Sequence, residues 1–264
     1  LSRSQDTTPD ALLKIAIAAA KAAATHASAN RRRRHEVASR SRHDVKLNLD
    51  LEAQIAALAV IRTAFPDHAT LAEEDTAPRE RNTEFQWIVD PIDGTVNFSH
   101  GLPQWCSSVA VRRGDRMVAG AVCAPDVDEL YTASADGPAL LNGKPIRVSP
   151  VSRLDEAIVF TGLDKKVDPA LKPFFYFERI ALNTQKARVM GAAALDICHV
   201  ACGQGDGYFE AGIYIWDVAA AGLIVERAGG TVQILRHLEG ERLVFLASNG
   251  ILHTGLRQLV DIAA

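Results

Sequence analysis

Trp87-Ile88-Val89-Asp90-Pro91-Ile92-Asp93-Gly94-Thr95 is the stretch on which the fold turns. Trp87 to Val89 has the character of a buried strand and leads straight into two aspartates, so both carboxylates emerge at a strand's carboxyl end. Pro91 fixes its own φ, Gly94 permits a tight backbone approach, and the chain beyond Thr95 can open a helix whose free amides accept an anion. Two aspartates three residues apart cannot both stay ionised in a desolvated cleft unless cations neutralise them. Oxygen-only donors select a hard cation, in the usual case Mg²⁺. Taken alone, the segment reads equally as a capped turn with two solvated aspartates.

Other acidic residues recur at element ends. Glu73 and Glu74 follow a short apolar stretch, and Asp217 follows Tyr214-Ile215-Trp216 and precedes the small-residue run Val218-Ala219-Ala220-Ala221-Gly222. Singly, each reads as a cap or a solvated charge. Around them, Pro9 to about Ala27 has the spacing of a buried helical face, with Thr8 as N-cap and Pro9 at the first helical position. Asp50 to Phe65 forms a second amphipathic helix, with Asp50 as its cap and Pro66 as its stop. Short runs at Thr70–Ala72, Phe85–Val89, Ser107–Val111, Val118–Ala124 and Glu129–Ala133 predict a largely antiparallel sheet. After Pro150 strands and helices alternate: Ile158–Thr161, Ala187–Met190, Ala192–Ala201, Gly207–Phe209, Asp217–Ala228 and Leu243–Ala247. The change of pattern predicts an N-terminal α+β subdomain over 1–150 with the main metal-binding segments, and a C-terminal α/β subdomain over 151–264 with the substrate pocket and Asp217.

At 264 residues, 48% hydrophobic and 23% charged, the chain has ordinary globular composition, which excludes wholesale disorder and collagen-like or membrane-embedded architectures. Lysine and arginine total 29 against 32 aspartates and glutamates, so the net charge of -3 supplies no global attraction for nucleic acid or anionic lipid. Four cysteines are too few for a disulfide framework in a chain of this length and fit a reducing compartment. Cys198, His199 and Cys202 suit small buried side chains better than a zinc site. No apolar run approaches the ~20 residues that span a bilayer, and the first residues lack the pattern of a signal peptide. Cytoplasmic residence is the expectation. The basic run Arg31 to Arg34, in a polar stretch ending near His43, reads as a solvated loop or frayed helix end, an anion-attracting flap, or a partner contact.

Three segments in this order and spacing, LAEED (71–75), WIVDPIDGTVNF (87–98) and IWDVAAAG (215–222), resemble the inositol monophosphatase family. The resemblance extends through DVKLNLD (44–50), GAVCAPDVDELYTA (120–133), VMGAAALD (189–196), YFEAGIYIWD (208–217) and VERAGG (225–230). It implies an α+β fold, a layered αβαβα sandwich of the inositol monophosphatase and fructose bisphosphatase type. It also implies two or three Mg²⁺ ions held by Glu73, Asp90, the Ile92 carbonyl, Asp93 and Asp217, with Glu73 also touching a weaker third ion. Thr95 and Asp50 match the pair that helps activate the attacking water, and Gly94 and Thr95 match the phosphate-binding amides. The polyol-binding positions map to Asp93, Gly191, Ala192, Ala193 and Glu210, with Asp217 beside them. A homodimer and inhibition by lithium belong to the same implication.

The implied activity is Mg²⁺-dependent hydrolysis of a small phosphate monoester, first an inositol monophosphate or similar phosphorylated polyol. Histidinol phosphate, a sugar bisphosphate or a phosphorylated nucleotide are the alternatives, because relatives share the metal centre and differ in the leaving-group pocket. A member acting as an RNA- or transcription-associated binding protein is the rival of a different class. Two departures stand out. Ala72 occupies a position where the family usually has glycine, and the family's lysine in the loop after the first helix has no clear equivalent among residues 27–44.

Overall fold

The computed structural model describes residues 6–40, 45–75, 83–163 and 169–261. The chain opens with α1 (Pro9–Ala29), where Thr8 Oγ1 accepts the Ala11 N–H and Pro9 takes the first turn, as expected. Its face of Leu12, Ala16, Ala19, Ala20, Ala23 and Ala27 is fully buried, and the small side chains let a neighbouring helix approach closely. The basic run that follows is a 3-10 turn (Arg31–Arg33) leading into β1 (Val37–Arg40), which pairs antiparallel with β2 (Val45–Leu47). The sequence pattern predicts a loop or frayed helix end here, which fits the 3-10 turn but not the strand. All four β1 side chains are exposed, so no hydrophobic period marks the strand, and its pairing alone creates it. The end of the polar stretch near His43 lies outside the described residues.

Helix α2 (Asn48–Ala64) is followed by β3 (Ala69–Ala72), β4 (Phe85–Asp93), the short α3 (Thr95–His100), β5 (Cys106–Arg113), β6 (Arg116–Ala124), β7 (Glu129–Ser134), β8 (Leu140–Leu141) and β9 (Lys144–Pro145). These strands form one sheet in the order β3-β4-β5-β6-β7-β8-β9, antiparallel throughout except for the parallel pair β3–β4. The second part runs β10 (Ile158–Thr161), α4 (Pro173–Asn183), β11 (Lys186–Arg188), α5 (Ala193–Ala201), β12 (Gly207–Tyr214), α6 (Ile215–Arg227), β13 (Thr231–His237), β14 (Arg242–Ser248) and α7 (His253–Val260). Its sheet order is β11-β10-β12-β14-β13, with β10, β11 and β12 parallel and β13–β14 an antiparallel hairpin.

Packing stacks these elements into five layers. Helices α1 and α2 cover one face of the seven-stranded sheet, α5 and α6 fill the space between the two sheets, and α4 and α7 close the far face of the second. The α+β layered sandwich expected above is therefore the fold. Strand alternation explains the layering: Trp87, Val89, Val109 and Val111 belong to the core under α1 and α2, while their neighbours Ile88 and Ala110 belong to the core around α6. Both faces of β4 are buried, hence its unbroken apolar run. Helix α6 is buried all round from Ile215 to Val225, and Gly120 of β6 gives it clearance: a Cβ there would lie 2.9 Å from the Ala220 Cα.

Helix α4, strand β13 and helix α7 were not foreseen. β13 is an edge strand with mostly exposed side chains, so no buried period marks it, whereas α7, though only two turns long, is amphipathic, with Leu252 before it and Leu256 and Val260 within it buried at a spacing of four. No described helix is long and apolar enough to cross a membrane.

Candidate metal centre

Strand β4 delivers the first two carboxylates, and its irregularity brings them together. In a regular strand, residues three apart point to opposite faces. Here the pairing of β4 with β5 shifts register between Asp90, opposite Ser108, and Asp93, opposite Cys106, so two residues on one strand, Pro91 and Ile92, face one on the other, Ser107. Pro91 has no N–H to give the ladder; its carbonyl instead accepts the Ser107 hydroxyl at 2.6 Å, and the Ile92 N–H turns back to Asp90 Oδ1 at 3.0 Å. Gly94 closes the turn in the left-handed region at φ 88°, where a Cβ would meet the Gln104 carbonyl at 2.9 Å.

The third carboxylate arrives from the other sheet's side of the molecule. Asp217 sits in the first turn of α6 and accepts the Tyr214 N–H at 2.9 Å. Oxygens of Asp90, Asp93 and Asp217 lie within 4.8 Å of one another, and all three residues are buried. Among the described residues this is the only grouping of three or more His, Cys, Asp or Glu side chains with such convergence. Buried, oxygen-only and triply acidic, the donor set fits a hard divalent cation. Asp93 also ties the two parts of the chain together: its oxygens accept the Ala193 N–H at 3.1 Å and the Ala194 N–H at 2.7 Å, at the start of α5.

The trio lies in a cavity of about 260 Å³. Of the residues singled out from the sequence, Ile92, Gly94, Thr95, Gly191, Ala192, Ala193 and Glu210 line it together with the three aspartates. Glu73 and Asp50 do not. Glu73 stands just beyond β3, its N–H bonded to the Val89 carbonyl at 3.1 Å beside Asp90, and its carboxylate lies outside the trio. Asp50 touches the site through Thr95, whose hydroxyl donates to the Ile92 carbonyl at 2.9 Å and stands 3.5 Å from Asp50 Oδ1.

Asp50 is not the N-cap of its helix, as the sequence suggested. Leu47 occupies that position, and Asp50, three residues on, reaches back to accept the Leu47 N–H at 2.6 Å. The helix opens one turn earlier because β2 runs directly into it, and the reaching-back carboxylate is one half of a capping box.

Asp196, Tyr208 and Asn97 are among the lining residues that the sequence pattern does not assign. Burial, then the nearby Asp93 and Glu210 charges, push the Asp196 carboxyl well above the ordinary range. Its signal was present in the sequence, an acid inside the apolar helix face Ala194-Leu195-Asp196-Ile197. The Tyr208 hydroxyl donates to Glu210 Oε2 at 2.5 Å. Asn97 braces the rim, donating to the Gln104 and Met190 carbonyls at 2.7 and 2.8 Å.

The basic run stays outside this cavity. Arg31 pairs with Asp126, and Arg33 pairs with Glu36 and Glu52. Cys198 is buried, and His199 Nε2 faces Glu129 at 3.7 Å.

Comparison with known proteins agrees with the geometry. The inositol monophosphatase family model matches residues 8–262, and this chain belongs to that family, whose members are phosphatases, magnesium-dependent in general. The chain is 38% identical to an inositol-1-monophosphatase of Synechocystis over 81% of its own length and 76% of that protein. It is 40% identical to the Nus factor SuhB of Haemophilus influenzae over 84% of each. The inositol monophosphatase of Anabaena superposes with a TM-score of 0.84 at 32% identity, covering 95% of both chains.

Proposed function

We propose that this chain hydrolyses a small phosphate monoester, first among candidates an inositol monophosphate or a similar phosphorylated polyol, in a magnesium-dependent in-line attack by water. The convergence of Asp90, Asp93 and Asp217 within 4.8 Å is the observation that carries the reading. On this reading those three aspartates, with Glu73 and the Ile92 carbonyl, hold the magnesium. The cation supplies positive charge that offsets the phosphoryl oxygens and acidifies water. The segments of residues 1–150 bring most of the metal ligands, and residues 151–264 bring Asp217 and the leaving-group pocket.

The remaining work falls to the chain's own groups. Thr95, held at 2.9 Å from the Ile92 carbonyl and 3.5 Å from Asp50 Oδ1, presents its oxygen to the attacking water and passes the proton toward Asp50. The N–H groups of Gly94 and Thr95 face the phosphate oxygens. Ala193 and Glu210 bracket the leaving group, whose hydroxyls donate to Glu210. Burial keeps bulk water from competing inside the cleft.

A homodimer and lithium inhibition complete the reading. Phe174 and Leu182, 62% and 77% exposed on α4, offer an apolar face for a second copy, and sedimentation would report it. Phosphate release from a panel of esters, with Mg²⁺ and again with EDTA, tests the enzyme reading; turnover that ignores the chelator refutes it. The relatives named Nus factor SuhB favour a second reading, a binding role in transcription. Absence of metal-dependent turnover on every ester in the panel would leave that reading standing.

A further inference from the structure

We infer that Tyr208 and Gly162 are positioning residues for the Glu210 carboxylate and thereby set how strongly the site prefers leaving groups that carry hydroxyls. The inference deepens the polyol reading of this pocket and rests on it.

Tyr208 and Glu210 are two apart on β12, so both project to the same face, toward α5 and the cavity, while Phe209 between them joins the core under α4 and α7. Tyr208 is 1% exposed, and its hydroxyl donates to Glu210 Oε2 at 2.5 Å. Burial, followed by the Glu210 charge, raises the phenol well above its ordinary range, so the hydroxyl keeps its proton and acts only as a donor to this carboxylate. One carboxylate oxygen is thereby tethered, and the plane of the group is defined.

The same carboxylate rests on Gly162. The parallel pairing of β10 with β12 aligns Thr161 with Phe209, and the Thr161 hydroxyl locks that register by donating to the Phe209 carbonyl at 2.7 Å. One step further the register sets residue 162 against residue 210. A Cβ at Gly162 would lie 2.0 Å from Oε2, 2.4 Å from Cδ and 2.7 Å from Oε1 of Glu210. The carboxylate fills the volume that any other residue's side chain would take. Because all three atoms are the end of a flexible side chain, alanine at this position displaces the carboxylate and not the backbone.

The two substitutions thus disturb one group by different routes: Tyr208→Phe removes the tether and Gly162→Ala fills the seat. The probes are inositol 1-phosphate and p-nitrophenyl phosphate, which share the phosphoryl group and differ in leaving-group hydroxyls, both assayed with Mg²⁺. Each variant is expected to lower the kcat/KM ratio of the polyol ester to the aryl ester by on the order of tenfold, through KM more than kcat. Adding either change to Glu210→Gln should lower the ratio by less than about twofold further, since residues acting through one group are not additive. Melting temperatures read alongside separate misfolding from repositioning. If Glu210→Gln moves the ratio while both positioning variants leave it unchanged, or lower both substrates equally, the inference is overturned. A Glu210→Gln ratio equal to wild type instead overturns the pocket reading, and the positioning inference with it.

Discussion

Replacing Asp217 by asparagine probes the metal centre with the least disturbance of shape. The amide oxygen can still accept the Tyr214 N–H that Asp217 accepts at 2.9 Å, so the start of α6 keeps its bond and loses only charge. Three ionised carboxylates with oxygens within 4.8 Å repel by at least about 3.5 kcal/mol per pair at an effective dielectric constant of ~20. Removing one charge relieves two such pairs, ~7 kcal/mol gross, before counter-ions and proton uptake reduce it. Losing an acid at a helix N-terminus costs ~0.3 to 1 kcal/mol. Even a third of the gross relief exceeds that cost. Without metal, Asp217→Asn is therefore expected to be the more stable protein by roughly 1 to 2 kcal/mol, or about 2 to 8 °C in Tm for a chain of this size. Magnesium reverses the comparison. At a concentration 100-fold above its Kd the wild type gains about 2.7 kcal/mol, while the variant, short of one ligand, gains less than half of that. Differential scanning fluorimetry in EDTA and across a Mg²⁺ titration, paired with phosphate release, reads all of this. A variant that melts below wild type in EDTA and shifts equally with Mg²⁺ would show that the trio is not a metal site.

Asp50→Asn and Thr95→Ala are each expected to lower kcat by ~10²- to 10⁴-fold, with the double variant little worse than either single; additive losses would separate the two residues into independent roles. Gly120→Ala puts a methyl group 2.9 Å from the Ala220 backbone and should destabilise by ~1 to 3 kcal/mol in urea unfolding, with turnover per folded molecule nearly unchanged. His68 accepts the Trp87 indole N–H on Nδ1 at 3.1 Å between the rings of Phe65 and Phe85, and burial holds its pKa below the ordinary value against the opposing pull of Asp67 and Glu84. The unfolded chain then takes up a proton that the folded one refuses. Stability should be complete above pH ~6.5 and fall as the pH drops below it, by at most ~1.4 kcal/mol per pH unit for this one proton. His68→Gln should flatten that slope, with the residue coming from His199 and His253, which burial shifts the same way. An unchanged slope excludes His68.

How far the chain could be read without coordinates depended on the range of the forces involved. Thr8 capping α1, the helical stretch of α2 and the apolar runs of β4 to β7 are local features and appear where expected, but the apolar period Leu51, Ile55, Leu58, Ile61, Phe65 misplaces the face of α2, since Leu51 and Ile55 are exposed and Leu49, Ala53 and Ala57 pack inward instead. Strand β1 and edge strand β13 lack such a signal, because pairing partners, not their own side chains, create them, whereas the short α7 carries one in Leu252, Leu256 and Val260, spaced by four and buried. Asp50 shows the limit at a single residue: its role in starting a helix was legible, its position in that helix was not, since Leu47 becomes the cap only through the strand before it.

The candidate site divides along the same line. Sequence by itself determined the chemistry on offer: a strand ending in two aspartates around a proline and a glycine, a third aspartate ahead of a small-residue helix, and a spacing shared with one phosphatase family. Only the tertiary structure decided which of these acids converge. A regular strand would send Asp90 and Asp93 to opposite faces; the register shift against β5 turns both inward, and packing α6 between two sheets brings Asp217 to meet them across more than a hundred residues of chain. The same packing leaves the Glu73 carboxylate outside the trio and seats Glu210 against Tyr208 and Gly162. Sequence sets which groups a chain can bring to a site, and the geometry that makes them act together is a property of long-range pairing and layer packing, where no local pattern reaches.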